Sequence, residues 1–232
     1  MLSVPEALQR VLERTPVLPP IRVPLRQALG RVLAEPLVAP LDVPPFPAAT
    51  VDGFAIVAAD NEVKRRLVGE QFAGYVNDLR VRPGTAVRVT TGAPVPAGAD
   101  AVVMVEWTEE RDGEITVKRR ISPGDGIRPL GSDIAAGQEV LPAGTVIGPA
   151  EWGLIASLGV MTVNVYPAAR VAVLSTGDEV IEPGQPLKRG QIYDANRFAL
   201  IASLREVGAE PVDLGIAGDR QQELEEKVNR GL

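Results

Sequence analysis

The first forty residues place apolar side chains at the spacing of helices. The segment SVPE at residues 3–6 has the composition of a capping box, and apolar residues then recur every three or four positions. A second helix is predicted from Pro24 to Leu33, and Pro36 would end it. These two helices are expected to form a structural frame that carries no chemistry of its own.

Between about residues 43 and 134 the pattern changes to short β-rich runs, namely RLVGEQFAGY, AVRVTT, AVVMVEW and EITVKR. Gly, Pro and Asp turns separate them, which predicts a small barrel or sandwich. The basic triplets KRR at 64–66 and at 118–120 are too short and isolated for a nucleic-acid-binding stripe. We expect both triplets on solvated strand edges.

Residues 139–167 predict a strand, a turn, a helix and a second strand. Pro149 suits the first turn of that helix and Gly159 its C-terminal end. We expect residues 135–168 to return to residues 1–42, so that the frame is discontinuous.

From residue 170 the order of patterns is strand, helix, strand, helix: RVAVLST, RFALIASLREVG, EPVDLGIAG and DRQQELEEKVNRG. This order predicts the beginning of a doubly wound parallel sheet. Because two parallel strands cannot bury both faces, we expect residues 169–232 to be an incomplete domain of a longer protein. The apolar residues expected to face its core are Phe198, Leu200, Ile201 and Leu204.

The chain is thus predicted to be a multi-domain, elongated α+β protein. Its parts are a helical or mixed frame (1–42 with 135–168), a β-rich barrel-like module (43–134) and the start of a three-layer α/β domain with a parallel sheet (169–232).

The composition limits which catalytic and metal-binding groups the chain can use. The 232 residues include no His and no Cys, which excludes imidazole or thiolate metal sites and every Ser-His or Cys-His catalytic pair. A bound metal ion is therefore expected to be hard and oxygen-bound, such as Mg²⁺. The formal net charge of −6 argues against a nucleic-acid partner. The sequence has neither a long apolar stretch nor a basic-then-apolar start, so we expect a cytoplasmic protein without a membrane partner.

Two turns are candidates for ligand binding. Thr91-Gly92 offers a hydroxyl at a strand end and a glycine that lets backbone amides approach a ligand, although a plain Pro/Gly hairpin explains the same pattern. The segment STGDE at 175–179 follows the first parallel strand, where ligands of open α/β sheets bind. Its Thr-Gly turn can hold an anion and its carboxylates a metal ion, and a plain turn again stays open. Neither a GxGxxG nor a Walker sequence is present, which excludes a dinucleotide or P-loop site.

Three further carboxylates stand in glycine-rich contexts: Asp52, Asp133 and Asp219. Each alone is most often a turn or cap residue. Their convergence with other acidic groups on one ligand would require a cation or a proton, and spacing does not show that they converge.

Five segments in order resemble the MoeA / gephyrin E-domain family, the molybdopterin molybdenumtransferases. They are PPFPAATVDGFAI, VTTGAPVPAGADAVVMVE, IRPLGSDIAAG, VLSTGDEV and GQIYDANRFAL. The second is similar to the family's TGAPxPxGADxVVxxE almost without gaps, and the shared order of all five makes the resemblance specific.

The resemblance implies an enzyme of molybdenum cofactor biosynthesis. Such an enzyme inserts molybdate into adenylylated molybdopterin, releases AMP and uses Mg²⁺. The resemblance further implies a homodimer, in which the MogA-like, molybdopterin-binding-like α/β domain of one subunit meets the β-rich module of the other at the cleft.

Motif positions imply the site residues. The catalytic ones would be Asp52, Thr91, Asp133, Glu179 and Asp219. The cofactor-binding ones would be Gly92, Ser175, Thr176, Gly177 and Asp178, and the metal ligands would be Glu179 and Asp219.

The chain also departs from the family's pattern. Residues 47–51, PAATV, stand where the family has DNSAM, which removes polar groups. The family's SGGxSxGxxD loop and KxxxK segment would fall beyond Leu232, so we expect little or no turnover from these residues alone. Two other functions stay open: a non-catalytic scaffold or dimerisation module of the gephyrin type, and a Mg²⁺-dependent sugar- or nucleotide-phosphate binder.

Overall fold

The computed structural model describes residues 2–60 and 62–231, which form two compact units. Residues 37–141 are the middle unit, and the segments before and after them form the other unit. The helices are α1 (Val4–Arg14), α2 (Pro149–Ser157), α3 (Asn196–Glu206) and α4 (Gln221–Gly231). The strands are β1 (Ile21–Pro24), β2 (Val32–Leu33), β3 (Leu37–Val38), β4 (Ala48–Ala49), β5 (Gly53–Ile56), β6 (Lys64–Gln71), β7 (Thr85–Val89), β8 (Ala101–Met104), β9 (Thr108–Arg111), β10 (Glu114–Val117), β11 (Ile127–Arg128), β12 (Glu139–Leu141), β13 (Thr162–Tyr166), β14 (Arg170–Thr176), β15 (Val180–Ile181), β16 (Ile192–Tyr193) and β17 (Glu210–Ala217).

The capping box at the start of α1 is confirmed. The backbone N–H of Ser3 donates to the Glu6 carboxylate at 2.7 Å, and the Glu6 N–H donates to the Ser3 hydroxyl at 3.4 Å. These bonds satisfy donors that a helix start leaves without intrahelical partners. Every residue of α1 is exposed, including its apolar ones.

The second helix expected at residues 24–33 is wrong. Pro24 ends β1, a single 3-10 turn covers Leu25–Gln27, and β2 follows. Gly30 has φ = 76°, which interrupts helical geometry. The backbone hydrogen bonds go to distant residues instead: the Leu25 N–H donates to the Met161 carbonyl at 2.9 Å. Tertiary pairing thus overrides the helical pattern.

A three-stranded antiparallel sheet joins the segments before and after residues 37–141. β13 lies between β1 and β2, with Val165 opposite Ile21 on one side and Leu33 on the other. Val165 is fully buried, and Leu33 is 1% exposed. The segment after α2 therefore supplies the central strand to the strands of the N-terminal segment.

The middle unit is built on a six-stranded sheet of order β8-β5-β7-β6-β10-β9. Only the β6–β7 pair is parallel among these strands of the described chain. The sheet curls into a half barrel. The general expectation of a β-rich α+β fold is thus confirmed, whereas a closed barrel is not what forms.

Both faces of this sheet are buried at β5, β7 and β8, whereas β9 is largely exposed. Neighbouring residues along each strand point to opposite faces, and they fall into two different apolar clusters. Ala49, Ala55, Val81, Val87, Val89, Ala93 and Val102 form one cluster. Phe54, Ile56, Ala86, Ala101, Val103, Ile115 and Ile121 form the other.

The expectation that the KRR triplet at 64–66 is a solvated edge is wrong for its central residue. β6 lies inside the sheet, between β7 and β10. Its alternation leaves Lys64 and Arg66 exposed but turns Arg65 inward, where the residue is only 4% exposed.

The parallel strands and helices expected after residue 169 are confirmed. β14 pairs in parallel with β17, and α3 and α4 contact both strands. The expected core face of α3 is wrong in part, because Phe198 is 49% and Leu200 56% exposed. The inner face instead carries Arg197, which is 3% exposed, with Ile201 and Leu204 half-buried. Among the described residues no helix is long and apolar enough to cross a membrane.

Gly53→Ala is expected to lower the free energy of unfolding by at least about 2 kcal/mol. A Cβ at this position would overlap the Val103 carbonyl oxygen, and β5 is paired on both sides, so it cannot move away. Gly153→Ala inside α2 is the control, because its Cβ meets no atom within 4 Å. Urea denaturation followed by tryptophan fluorescence measures both, and equal stabilities would contradict this role of Gly53.

Candidate functional site

Asp52 and Thr91 lie at adjacent strand ends in the middle unit. Asp52 immediately precedes β5, Thr91 follows β7, and the two strands are paired with Gly53 opposite Val89. The Asp52 carboxylate oxygen Oδ1 accepts the Thr91 backbone N–H at 2.7 Å and the Thr91 hydroxyl at 2.8 Å. The structure therefore brings together two of the residues that the sequence places in a site.

These hydrogen bonds determine the protonation of Asp52. The Thr91 backbone N–H and then its hydroxyl stabilise the carboxylate, and Arg88 adds a smaller attraction, so the pKa of Asp52 lies below its usual range. Both residues are exposed. Asp52 is thus an ionised, solvent-facing acceptor at neutral pH.

The backbone at Gly92 is already engaged. Gly92 has φ = 80°, which only glycine adopts at little cost, and its N–H donates to the Ala49 carbonyl at 2.8 Å. The next amide, of Ala93, donates to the Thr90 carbonyl at 2.9 Å. A ligand at this turn would therefore meet the Thr91 side chain rather than these two amides.

Asp133 is an ion-paired residue of the same unit. Two nitrogens of the Arg128 guanidinium donate to the Asp133 carboxylate, and Arg128 Nε lies 3.1 Å from its oxygen Oδ1. Its backbone N–H donates to the Val43 carbonyl at 3.0 Å. Within the described ranges, no hydrogen bond or ion pair joins Asp133 to Asp52 or Thr91.

The other candidate residues lie where β14 and β17 end. The strands run in parallel to Thr176 and Ala217, which are opposite one another, so the turns that follow them are neighbours. The Gly177 N–H donates to the Ala217 carbonyl at 3.1 Å. The Asp219 N–H donates to the Asp178 carboxylate at 3.2 Å. These contacts bring Asp178 of the STGDE segment together with Asp219.

Two glycines leave room for these carboxylates. Gly177 has φ = 131°, and a Cβ there would lie 2.5 Å from the Glu179 carboxylate. A Cβ at Gly218 would lie 2.7 Å from the Asp178 carboxylate. Throughout residues 2–60 and 62–231, no set of three or more carboxylates is arranged to hold a metal ion. The turns thus form a glycine-lined acidic surface without a complete protein ligand set.

An ionic network beneath these turns, centred on the buried pair Arg197 and Asp194, was missed from the sequence. Arg197 Nε donates to Asp194 at 2.7 Å, and its two other nitrogens contact Asp213 and Glu182. Asp194 also accepts the Ser175 hydroxyl at 2.9 Å. The network ties β14, β17 and the segment after β15 to the start of α3. A charged residue on the same helix face as Ile201 and Leu204 was the signal that could have revealed it.

The charges of this network stabilise one another. Burial acts to raise the pKa of Asp194, but hydrogen bonds from Arg197 and Ser175 outweigh it and hold that pKa below its usual range. Burial acts to lower the pKa of Arg197, and its carboxylate partners raise the pKa above its usual value. Both groups are therefore charged at neutral pH.

Two family models match the chain in sequence. Residues 2–159 match the MoeA N-terminal region, described as domains I and II, and residues 172–232 match a probable molybdopterin binding domain. The chain belongs to the MoeA family. The family resemblance of the five segments is thereby confirmed.

Curated relatives in the MoeA family carry the name molybdopterin molybdenumtransferase. One from Mycobacterium tuberculosis is 42% identical over 76% of this chain and 45% of its own length. One from Haemophilus influenzae is 40% identical over 79% of this chain and 46% of its own length. The chain therefore spans a little under half the length of these relatives.

A solved structure has the same fold. The molybdopterin biosynthesis MoeA protein from Pyrococcus horikoshii matches with a TM-score of 0.90 and 34% identity. The match covers 100% of this chain and 61% of that one.

Arg197→Met is expected to destabilise the unit that contains it by about 3 to 5 kcal/mol, because Asp194 would stay buried without its cation. Arg205→Met, at an exposed position of the same helix, is the control. Urea denaturation at pH 7 measures the difference, and similar losses in both variants would show that the network adds little.

The same network makes stability depend on pH. Because the pKa of Asp194 is lowered in the folded chain, its contribution is complete above the unfolded-state value of about 3.9. It is lost as the pH falls through the folded-state pKa. In Arg197→Met, the free energy of unfolding is expected to fall less steeply as the pH is lowered through the acid range. An unchanged dependence of this free energy on pH would contradict the role given to Asp194 and Arg197.

Proposed function

We propose that this chain is part of a molybdopterin molybdenumtransferase, which acts in molybdenum cofactor biosynthesis. The reaction inserts molybdate into adenylylated molybdopterin and releases AMP. The observation that carries the proposal is the pair of glycine turns at the carboxyl ends of β14 and β17, within the segment matched by the molybdopterin-binding model. Phosphate-bearing ligands bind at such strand ends in α/β sheets. The names of the curated relatives support the same reaction class.

Mg²⁺ is the metal ion that suits this surface. It is commonly held by one or two carboxylates, with water and substrate phosphates completing its shell. We assign Glu179 and Asp219 as its protein ligands, in keeping with the lack of a larger carboxylate set among the described residues. Bound there, the ion would offset the negative charge of the phosphates.

The neighbouring residues would hold the pterin substrate. Thr176 is exposed at the end of β14, so its hydroxyl is available to a phosphate. Gly177 keeps the turn clear of side-chain atoms, and Asp178 fixes the second turn through the Asp219 N–H. Ser175 donates its hydroxyl to Asp194, so we assign it a positioning role.

Asp52, Thr91 and Asp133 would act as acceptors and orienting groups. Because the pKa of Asp52 is lowered, this residue is ionised and cannot supply a proton at neutral pH. We infer that Asp52 orients the Thr91 hydroxyl, which donates its proton to Asp52. The lone pairs of the hydroxyl oxygen then face the substrate, and Gly92 of the same turn lies beside them. Asp133 is balanced by Arg128 and would likewise accept hydrogen bonds.

A homodimer is the assembly we propose. The apolar face of α1 is exposed, with Val4 at 83%, Leu8 at 58%, Val11 at 61% and Leu12 at 63%. These positions form one stripe of an amphipathic helix, which is normally buried against another surface.

The net charge of −6 disfavours a nucleic-acid partner. The cytoplasmic location and the absence of a membrane partner stay predictions.

Glu179→Gln and Asp219→Asn are each expected to weaken the Mg²⁺-dependent binding of adenylylated molybdopterin at least about 10-fold, since each removes a charged ligand. Titration calorimetry with and without Mg²⁺ measures the affinity. Glu206→Gln, exposed at the end of α3, is the matched control.

Three results would contradict the proposal: affinity without Mg²⁺ equal to that with it, equal affinity in the variants and the parent chain, or AMP binding as tight as the pterin nucleotide. The last would favour a nucleotide-phosphate binder. AMP release on addition of molybdate and Mg²⁺ measures turnover, which we expect to be small for this chain alone.

Leu8→Glu is expected to shift the chain from dimer to monomer, because it places a charge in the apolar stripe of α1. Gln9→Glu changes the charge equally on an exposed neighbouring position and should leave the dimer intact. Sedimentation velocity measures the mass, and a monomeric parent chain would overturn the dimer proposal.

A further inference from the structure

The middle unit contains a cavity of about 380 Å³ that the proposed reaction does not use. Its walls come from the segment after β5 and from the segment after β10. The charged residues that line it are Asp60, Glu62, Arg65, Arg119 and Arg120. Three arginines and two acidic residues give the lining a formal surplus of one positive charge, in a chain whose formal net charge is −6.

Arg65 and Asp60 form the buried floor of this cavity. Both side chains are 5% exposed, and Arg65 Nε lies 3.4 Å from the Asp60 carboxylate. That nitrogen has no hydrogen-bond partner within the described part of the chain, whereas Arg65 Nη2 donates to the Asp60 backbone carbonyl at 3.0 Å. The buried Arg65 guanidinium is thus engaged by Asp60, and one of its donors lacks an ideal hydrogen bond.

Asp60 is held as a carboxylate. Burial acts to raise its pKa, but the Gly84 N–H at 2.7 Å and the Glu62 N–H at 3.0 Å, together with Arg65, lower it below its usual range. Asp60 therefore compensates Arg65. Arg119 and Arg120 then remain against the single carboxylate of Glu62, so the surplus of one positive charge lies with these two exposed arginines.

Arg119 and Arg120 make no hydrogen bond or ion pair with any of the residues that the structure describes. The Arg119 guanidinium lies over the Trp107 ring at 4.1 Å, a stacking contact that uses the face of the group. Arg119 lines both this cavity and a smaller one whose lining contains Trp107. Its N–H donors lie in the guanidinium plane and make no hydrogen bond to the described residues. Planar guanidinium groups in this state bind phosphate oxygens in pairs, and a walled cavity strengthens the attraction.

We propose that this cavity binds a small organic phosphate monoester, with the phosphate held by Arg119 and Arg120. The volume exceeds what an inorganic phosphate fills and falls within the range of small-molecule sites, about 300 to 1,000 Å³. The carbon part of the ligand lies against apolar lining residues that are not buried, among them Ala58, Val63 and Val117.

The test uses ribose 5-phosphate and ribose, two probes that differ only by the phosphate group. Titration into the ¹⁵N-labelled chain is followed by NMR, with the indole N–H of Trp107 as reporter; Trp152 is the one other tryptophan of the sequence. We expect ribose 5-phosphate to shift the Trp107 indole and the amides of residues 119–122, and ribose to leave them unchanged.

Arg119→Gln and Arg120→Gln are each expected to weaken ribose 5-phosphate binding at least 10-fold. Arg66→Gln removes an equally exposed arginine that lies outside the cavity and should change the affinity less than twofold. Arg120 is exposed and makes no hydrogen bond or ion pair to the described residues, so this variant keeps the test valid if Arg119→Gln perturbs Trp107.

Four outcomes would overturn the proposal. Equal shifts with ribose would remove the role of the phosphate, and an equal loss in Arg66→Gln would show attraction by diffuse surface charge only. Inorganic phosphate binding as tightly as ribose 5-phosphate would refute the organic ligand. The absence of any shift at millimolar ribose 5-phosphate would refute the site. None of these results bears on the reaction at the β14–β17 turns.

Discussion

Burial on both faces of the three neighbouring strands β8, β5 and β7 constrains the middle unit. A strand covered on both sides has no solvated face on which to carry polar groups. The interior positions of β5 are therefore small or apolar, and Gly53 allows the neighbouring backbone to approach where no Cβ fits. Polar chemistry is displaced to the strand ends, which is where Asp52 and Thr91 meet. β6 buries two polar side chains: Arg65 is neutralised by Asp60, and the Gln71 amide donates to the Pro94 carbonyl.

In the β14–β17 pair, polar groups also lie at the strand ends, but they are held there in a different way. Its glycine turns are acidic and exposed, and side-chain repulsion there would favour rearrangement. Beneath them, Arg197 draws together carboxylates from two strands and a loop and so fixes the strand ends in place. A buried ion pair of this kind adds little net stability compared with an apolar core, but it defines one arrangement. We regard that arrangement as what preorganises the turns for a ligand.

Local signals in the sequence predicted much of this structure. The capping box of α1, the parallel pair after residue 169 and the helices α2 to α4 all follow from periodicity and turn residues. The helix expected at 24–33 failed because the pattern is local, whereas Leu25 and Leu33 bond to residues more than a hundred positions away. The Asp52–Thr91 contact depends on strand register, which motif spacing does not encode. Arg65 and Arg197 were missed because a charged residue is assumed to be exposed until its counter-ion is located.

The position of β13 between β1 and β2 has a consequence for synthesis on the ribosome. The two N-terminal strands have no partner in their own sheet until residue 166 has been translated. The intervening residues 37–141 form a unit of their own and are free to fold in that interval. Early folding of this unit would make the loop between β2 and β13 effectively shorter. Less entropy would then be lost when the two ends of the loop come together. The order of translation thus favours a vectorial pathway, in which the inserted unit folds before the first strands of the chain dock on β13.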